Sequence, residues 1–209
     1  MLQPVYDIDL SRISNKEIVS FIHNHKLYRL DDFASLKCFC KEKDETNGFR
    51  HHVKTFFINQ PVQKVWEAYK TTPPKQAWCG NMLEFGLQYC RNQNKFSYID
   101  DEYKEASVGQ IILIRVKVFG GLAKIAVGHE ITAINNEENY LETSYLMKGK
   151  SVGSQRVYLE DDKNGNTKIT HHTIYKSNSR FRDKFLYPFL HTKAITEFHQ
   201  NIWKRLNKN

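Results

Sequence analysis

The chain has 209 residues, 40% of them hydrophobic and 26% charged, with a formal net charge of +8. This is enough for one substantial core, or for one domain with an extension, and the composition is that of a globular protein rather than a disordered or fibrous one. No apolar run approaches the ~20 residues that span a bilayer. The start, "MLQPVYDIDLSR", lacks a basic segment followed by an apolar one, so a cytoplasmic location is expected.

Taken in order, the first 47 residues read as helical. "SNKEIVSFIHNHKLYRL" opens with Ser14 and has Glu17 three residues on, a capping-box pattern, and Ile18, Phe21 and Ile22 recur at helical spacing. A second short helix is expected over "DDFASLKCFCKE", capped by Asp31 or Asp32, before "DETNG" breaks the pattern. From His51 the reading changes to a strand, "HVKTFFI", stopped by "NQP". Pro61 then opens an amphipathic helix with Val62, Val65, Trp66 and Tyr69 on one face. Seven strand-like segments follow: "EFGLQYC", "KFSYIDD", "GQIILIRVKVF", "AKIAVGHEITAI", "NYLETSYLMKG", "SQRVYLED" and "TKITHHTIYKS". Short breaks rich in Gly and Asn separate them, as in an antiparallel sheet. The chain ends in a long helical pattern from about Ser179 to Asn207. Its apolar stripe is Phe181, Phe185, Phe189, Ile195, Phe198 and Ile202, and a kink is expected at Pro188.

The four cysteines, Cys38, Cys40, Cys79 and Cys90, lack the paired spacing of a zinc site. They read as reduced thiols, two or three of them packed as small hydrophobes, with no metal and no cofactor expected. Basic residues are spread along the chain without a nucleic-acid motif, so no specific nucleic acid is expected as a partner. Transient contact with an anionic membrane stays open, because Arg180, Arg182, Lys184 and Lys193 lie beside the aromatics of the last helix. The oligomeric state is not set by the sequence.

A sheet with one apolar face must cover it, and only the last helix is long enough to do so. The segment "FFINQPVQKVWEAYKTTPPKQAW" adds a strand, a Pro turn, a helix with Val65 and Trp66, and a second tryptophan at Trp78. With the element order, it resembles the opening of the helix-grip proteins of the START-like superfamily, which includes Bet v 1 relatives and polyketide cyclase-like proteins. The resemblance covers about Val53 to Leu206. It implies an α+β fold in which a curved antiparallel sheet wraps a long C-terminal helix. Residues 1–48 would be a helical extension and 49–209 the helix-grip domain. It is weak for function, since members bind many apolar ligands and some are enzymes.

Strand alternation then sorts candidate lining residues. In "TKITHHTIYKS" the less charged set includes His171, Thr173 and Tyr175, which should face the helix, while His172 points away. Adjacent strand residues cannot easily clamp one metal. By the same count Ile114, Val116, Ile125, Val127, His129, Thr143, Tyr145 and Gln155 point inward, with Phe185 and Phe189 facing them from the last helix. Arg115, Lys117, Glu130 and Glu142 fall on the other, solvent side.

These positions would line a mostly apolar cavity between sheet and helix. The expected function is binding of a hydrophobic or amphipathic small molecule such as a lipid, polyketide or isoprenoid-like compound. Two alternatives stay open. One is a cyclase- or dehydratase-type enzyme with His171 or His129 as base. The other is a protein-interaction module. No inward carboxylate orients a histidine and no nucleophile elbow is present, so the pattern favours binding over catalysis.

Overall fold

The computed structural model describes residues 6–40 and 46–207. The chain adopts the expected α+β, helix-grip architecture: an antiparallel sheet of eight strands with a long C-terminal helix on one face. The sheet order is β1 (Arg50–Ile58), β8 (Thr167–Ser177), β7 (Ser151–Asp161), β6 (Tyr140–Tyr145), β5 (Ala123–Asn135), β4 (Gln110–Val118), β2 (Leu83–Cys90) and β3 (Lys95–Ser97). Helices α3 (Val62–Thr71) and α4 (Pro74–Ala77) lie between β1 and β2 in the chain. Val65, Trp66 and Tyr69 of α3 pack with Val157, Leu159 and Ile169 of the sheet and Ile202 of the last helix, α5 (Tyr187–Leu206).

Two side chains tie α5 to the loop before β2. The Glu197 carboxylate accepts the backbone amides of Asn81 (2.9 Å), Met82 (3.0 Å) and Leu83 (2.8 Å), and Asn201 donates to the carbonyl of Ala77 at 3.1 Å. A Cβ on Gly80 would lie 2.6 Å from the Glu197 carboxylate carbon, and its φ of +143° is one that L side chains rarely adopt, so glycine is required there.

The opposite face of the sheet is also covered. Helices α1 (Lys16–Asn24) and α2 (Leu30–Ala34) lay Ile18, Ile22, Leu27 and Phe33 on Leu87, Tyr89, Ile111, Leu113 and Leu146. The sequence reading placed this face in solvent, but over the middle strands it is a dry aliphatic layer. Close approach is possible because a Cβ on Gly86 would sit 2.0 Å from Ile18 Cδ1, and glycine leaves that space open. Arg115 and Glu130 are accordingly engaged. Arg115 bonds Glu17 of α1 at 3.1 Å and also Glu84. Arg91 makes a two-point ion pair with Glu130 (2.7 and 2.9 Å) and donates to the Ala34 carbonyl at the end of α2.

Several local expectations need correction. Asn15 rather than Ser14 precedes α1, and its buried side chain donates to the Phe85 carbonyl at 2.9 Å. The second helix is confined to Leu30–Ala34, and Asp32 caps it from inside its first turn by accepting Arg29 N at 2.8 Å. Residues 41–45, including the start of "DETNG", lie outside the described residues. Of the cysteines only Cys90 is buried. Cys79 is exposed, and burial beside Glu130 pushes the Cys38 thiol up to about 12. Pro188 does not kink a helix interior: it sits in the first turn of α5, preceded by a π-helical turn over Arg182–Leu186.

That turn changes the aromatic stripe. Phe181, Phe185 and Phe189 are 64%, 54% and 56% exposed, so Phe185 and Phe189 do not line the interior. The inner stripe of α5 is instead Tyr187, His191, Ile195, His199, Ile202 and Leu206, which keeps the step of three or four residues that a buried helix face needs.

Candidate functional site: a buried histidine and tyrosine network

Between the sheet and α5 lies a chain of polar side chains centred on Gln155 of β7. Its Oε1 meets His171 Nε2 of β8 at 2.9 Å and His191 Nε2 of α5 at 3.2 Å. Its Nε2 meets His129 Nε2 of β5 at 3.0 Å and the Tyr145 hydroxyl of β6 at 3.0 Å. The chain continues from His171 Nδ1 to His199 Nε2 (3.0 Å) and from His199 Nδ1 to the Tyr69 hydroxyl (2.5 Å). On another branch His191 Nδ1 faces His52 Nδ1 at 3.1 Å, and His52 Nε2 faces the Thr192 hydroxyl at 3.0 Å. Tyr145 and Tyr187 meet hydroxyl to hydroxyl at 2.6 Å. Five of the nine histidines thus share one buried network.

Neutral tautomers satisfy the bonds that run from Gln155 to Tyr69. A carbonyl oxygen on Gln155 requires N–H at Nε2 of both His171 and His191. His171 Nδ1 then accepts from His199 Nε2, and His199 Nδ1 accepts the Tyr69 proton. The Thr192 hydroxyl donates its one proton to the Pro188 carbonyl at 2.7 Å, so His52 Nε2 is the donor to Thr192 Oγ1. The Gln155 amide donates to Tyr145 and to His129 Nε2, which places the His129 proton on Nδ1. That Nδ1 is buried and has no partner, and neither has the Thr173 hydroxyl.

Burial in low dielectric disfavours the charged imidazolium. It brings His129 down to about 4, and burial together with the neighbouring His52 and His129 brings His171 to about 3. His191 and His199 are held well below the usual histidine range for the same reason. Burial raises the Tyr69, Tyr145 and Tyr187 phenols. At neutral pH the network is therefore uncharged, a set of fixed donors and acceptors. Among the described residues no three His, Cys, Asp or Glu side chains converge in a way that would hold a metal ion.

The walls are aromatic and aliphatic. Trp78 stacks on His129 at 5.8 Å and lies 4.4 Å from Phe198, and Tyr175 stacks on Tyr187 at 3.7 Å. Ile112, Ile114 and Ile131 are buried, with Val116 and Val127 half-buried beside them. Ile125 is half-buried, and Thr143 pairs with Gln155 across β6 and β7. An open groove of about 400 Å³ lies on the other side of the sheet, between α1, Lys124 and the Lys148–Lys150 turn, and Ile125, expected to point inward, lines it.

The structure thus brings together His129, Tyr145, Gln155 and His171 from the sequence reading, with Tyr175 adjoining through Tyr187. It turns His172 to the outer face, where it stacks on His51 at 5.2 Å. The reading missed His52, His191, His199, Tyr187 and Tyr69. A signal for three of them was present: Tyr187, His191 and His199 lie at steps of four and eight, in phase with Ile195 and Ile202, whereas Phe189 to Ile195 is a step out of helical phase.

No family model and no curated protein matches the chain. Solved structures do. Norcoclaurine synthase from Thalictrum flavum is 12% identical, with a TM-score of 0.56, over 84% of this chain and 100% of that one. The same enzyme in complex with dopamine and hydroxybenzaldehyde gives 13% identity and a TM-score of 0.56 over 84% and 98%. Ginseng major latex-like protein 151 from Panax ginseng gives 13% and 0.53 over 74% and 95%. At such identities the likeness concerns the fold alone, and it agrees with the strand order and the placement of α5: this chain has the helix-grip fold that these proteins share.

Proposed function

We propose that the protein binds an amphipathic small molecule between its sheet and α5. An acceptor oxygen of that molecule would meet His129 Nδ1–H, and its apolar body would lie against Trp78, Phe198, Ile114 and Ile131. The observation that carries this reading is the unpartnered His129 nitrogen. A buried donor left open costs about 1–3 kcal/mol, and a ligand oxygen would recover it. The π-helical turn before Pro188 is the irregular segment at which the first half of α5 would move to admit the ligand. The fold also hosts an enzyme seen with two small aromatic molecules, which supports small-molecule binding here as an analogy.

Acid–base catalysis is the weaker reading. An efficient general base has a pKa near the working pH, and His171 and His129 lie far below it. A module that only binds other proteins would not need an inner face this rich in polar groups. In this proposal residues 1–48 are an extension whose helices α1 and α2 cover the outer face, residues 49–209 are the binding domain, and the protein works in the cytoplasm.

Native mass spectrometry of gently purified protein tests the reading. An adduct of small-molecule mass is expected in the wild type and should be lost in Gln155→Leu. Absence of any adduct, together with no uptake of a fluorescent fatty-acid or polyaromatic probe, would overturn it.

A further inference from the structure

We infer that the end of the molecule formed by the start of α5 and two hairpin turns docks on an anionic bilayer surface. The strand registers place these parts together: Val118 pairs with Ala123, and Ser151 pairs with Ser177 just before α5 begins. The β4–β5 turn, the β6–β7 turn and the start of α5 therefore share one end of the sheet. Arg182 fastens two of them, donating to the Lys150 carbonyl at 2.5 Å.

This end exposes large apolar side chains: Phe181, Phe185 and Phe189 on α5 and the turn before it, Phe119 and Leu122 on one hairpin and Met147 on the other, with Leu122 92% exposed. Exposed apolar side chains gathered at one end of a sheet mark an interaction face. Charge says which partner. Segments 117–124, 146–150 and 178–193 carry two, two and four Lys or Arg, and their only acid is Asp183. Asp183 is buried and accepts from Ser177 at 2.8 and 2.5 Å, so it does not offset the outward cations. Lys184 lies 5.2 Å over the Phe185 ring and Lys193 lies 4.3 Å over Phe189. Phenylalanines flanked by lysines match an acyl boundary under anionic headgroups, where rings enter and ammonium groups stay at the phosphates. This inference is independent of what the interior holds.

The test is flotation of the full chain with phosphatidylcholine vesicles, with and without phosphatidylserine. Binding is expected only with phosphatidylserine and should weaken in high salt. Phe185→Glu/Phe189→Glu should lose at least about tenfold in partitioning. Phe57→Glu, an equally exposed position near the other end of β1, should not. No partitioning of the wild type, or equal loss in the Phe57 variant, would overturn the inference. So would vesicle-independent self-association abolished by the Phe185/Phe189 change, since the occupant would then be a second copy of the chain.

Discussion

The two faces of the sheet are built on opposite principles. On the outer face α1, α2 and the turn between them meet the strands mainly through Ile18, Ile22, Leu27, Phe33, Leu87 and Leu113, an apolar layer with ion pairs at its margins. On the inner face α5 meets the same sheet partly through apolar contacts and partly through Gln155, five histidines and three tyrosines, where each polar atom depends on another. The difference separates stability from function. An apolar layer stabilises in rough proportion to the area it buries. A polar network in low dielectric gains little net energy, and it loses much if one member fails. The inner face is where this protein accepts such fragility.

The largest expected break in that comparison comes from acid. Histidine in the unfolded chain takes up a proton below about 6.5, whereas His129 and His171 in the fold resist until about 4 and 3. The unfolded state therefore binds more protons in that window. Stability is fully present above pH 6.5 and is lost as pH falls, at about 1.4 kcal/mol per pH unit for each buried histidine. All three tryptophans, Trp66, Trp78 and Trp203, pack on the inner side, so their fluorescence follows this loss. Equal stability by urea titration at pH 7 and pH 5 would contradict the network.

Truncating the outer layer comes next. Phe33→Ala removes a fully buried ring that touches Phe96 at 4.9 Å and Tyr89 at 5.5 Å. It should cost about 3–5 kcal/mol in chemical denaturation, with little change in the pH slope. Gln155→Leu should cost less, about 1–3 kcal/mol, because it removes one hub and leaves His171, His191 and Tyr145 short of a partner. It should also change the pH slope, which Phe33→Ala should not, and that contrast sharpens the division between the faces. The smallest effect belongs to His172→Ala on the outer face, within about 0.5 kcal/mol by thermal denaturation. A large loss there would mean that the outer His51–His172 stack matters more than its position suggests.

Much of the fold could be read from local pattern. Pro61, the amphipathic step of Val65, Trp66 and Tyr69, and the spaced Gly- and Asn-rich turns reflect backbone preferences that neighbours in sequence already determine. Alternation also oriented His171 against His172, because a strand without a bulge has no freedom in facing. Facing failed to carry through where the register shifts. Phe85 and Leu87 are two residues apart, yet the bulge between them puts Phe85 on the inner side and Leu87 on the outer.

The sequence by itself thus determined the element order, the helix-grip layout and the inward turn of His129 and His171, since each rests on periodicity within one segment. Tertiary structure alone decided three things. It laid α1 on the outer face, through the space Gly86 leaves for Ile18. It set a π-helical turn before α5 that leaves Phe185 exposed, whereas the phase of Tyr187, His191, Ile195 and His199 was already in the sequence. It also closed the polar chain around Gln155 between the sheet and α5. The physical reason is common to all three. Which polar atom finds which partner depends on segments up to more than a hundred residues apart, such as Tyr69 and His199, and no local pattern records their distance.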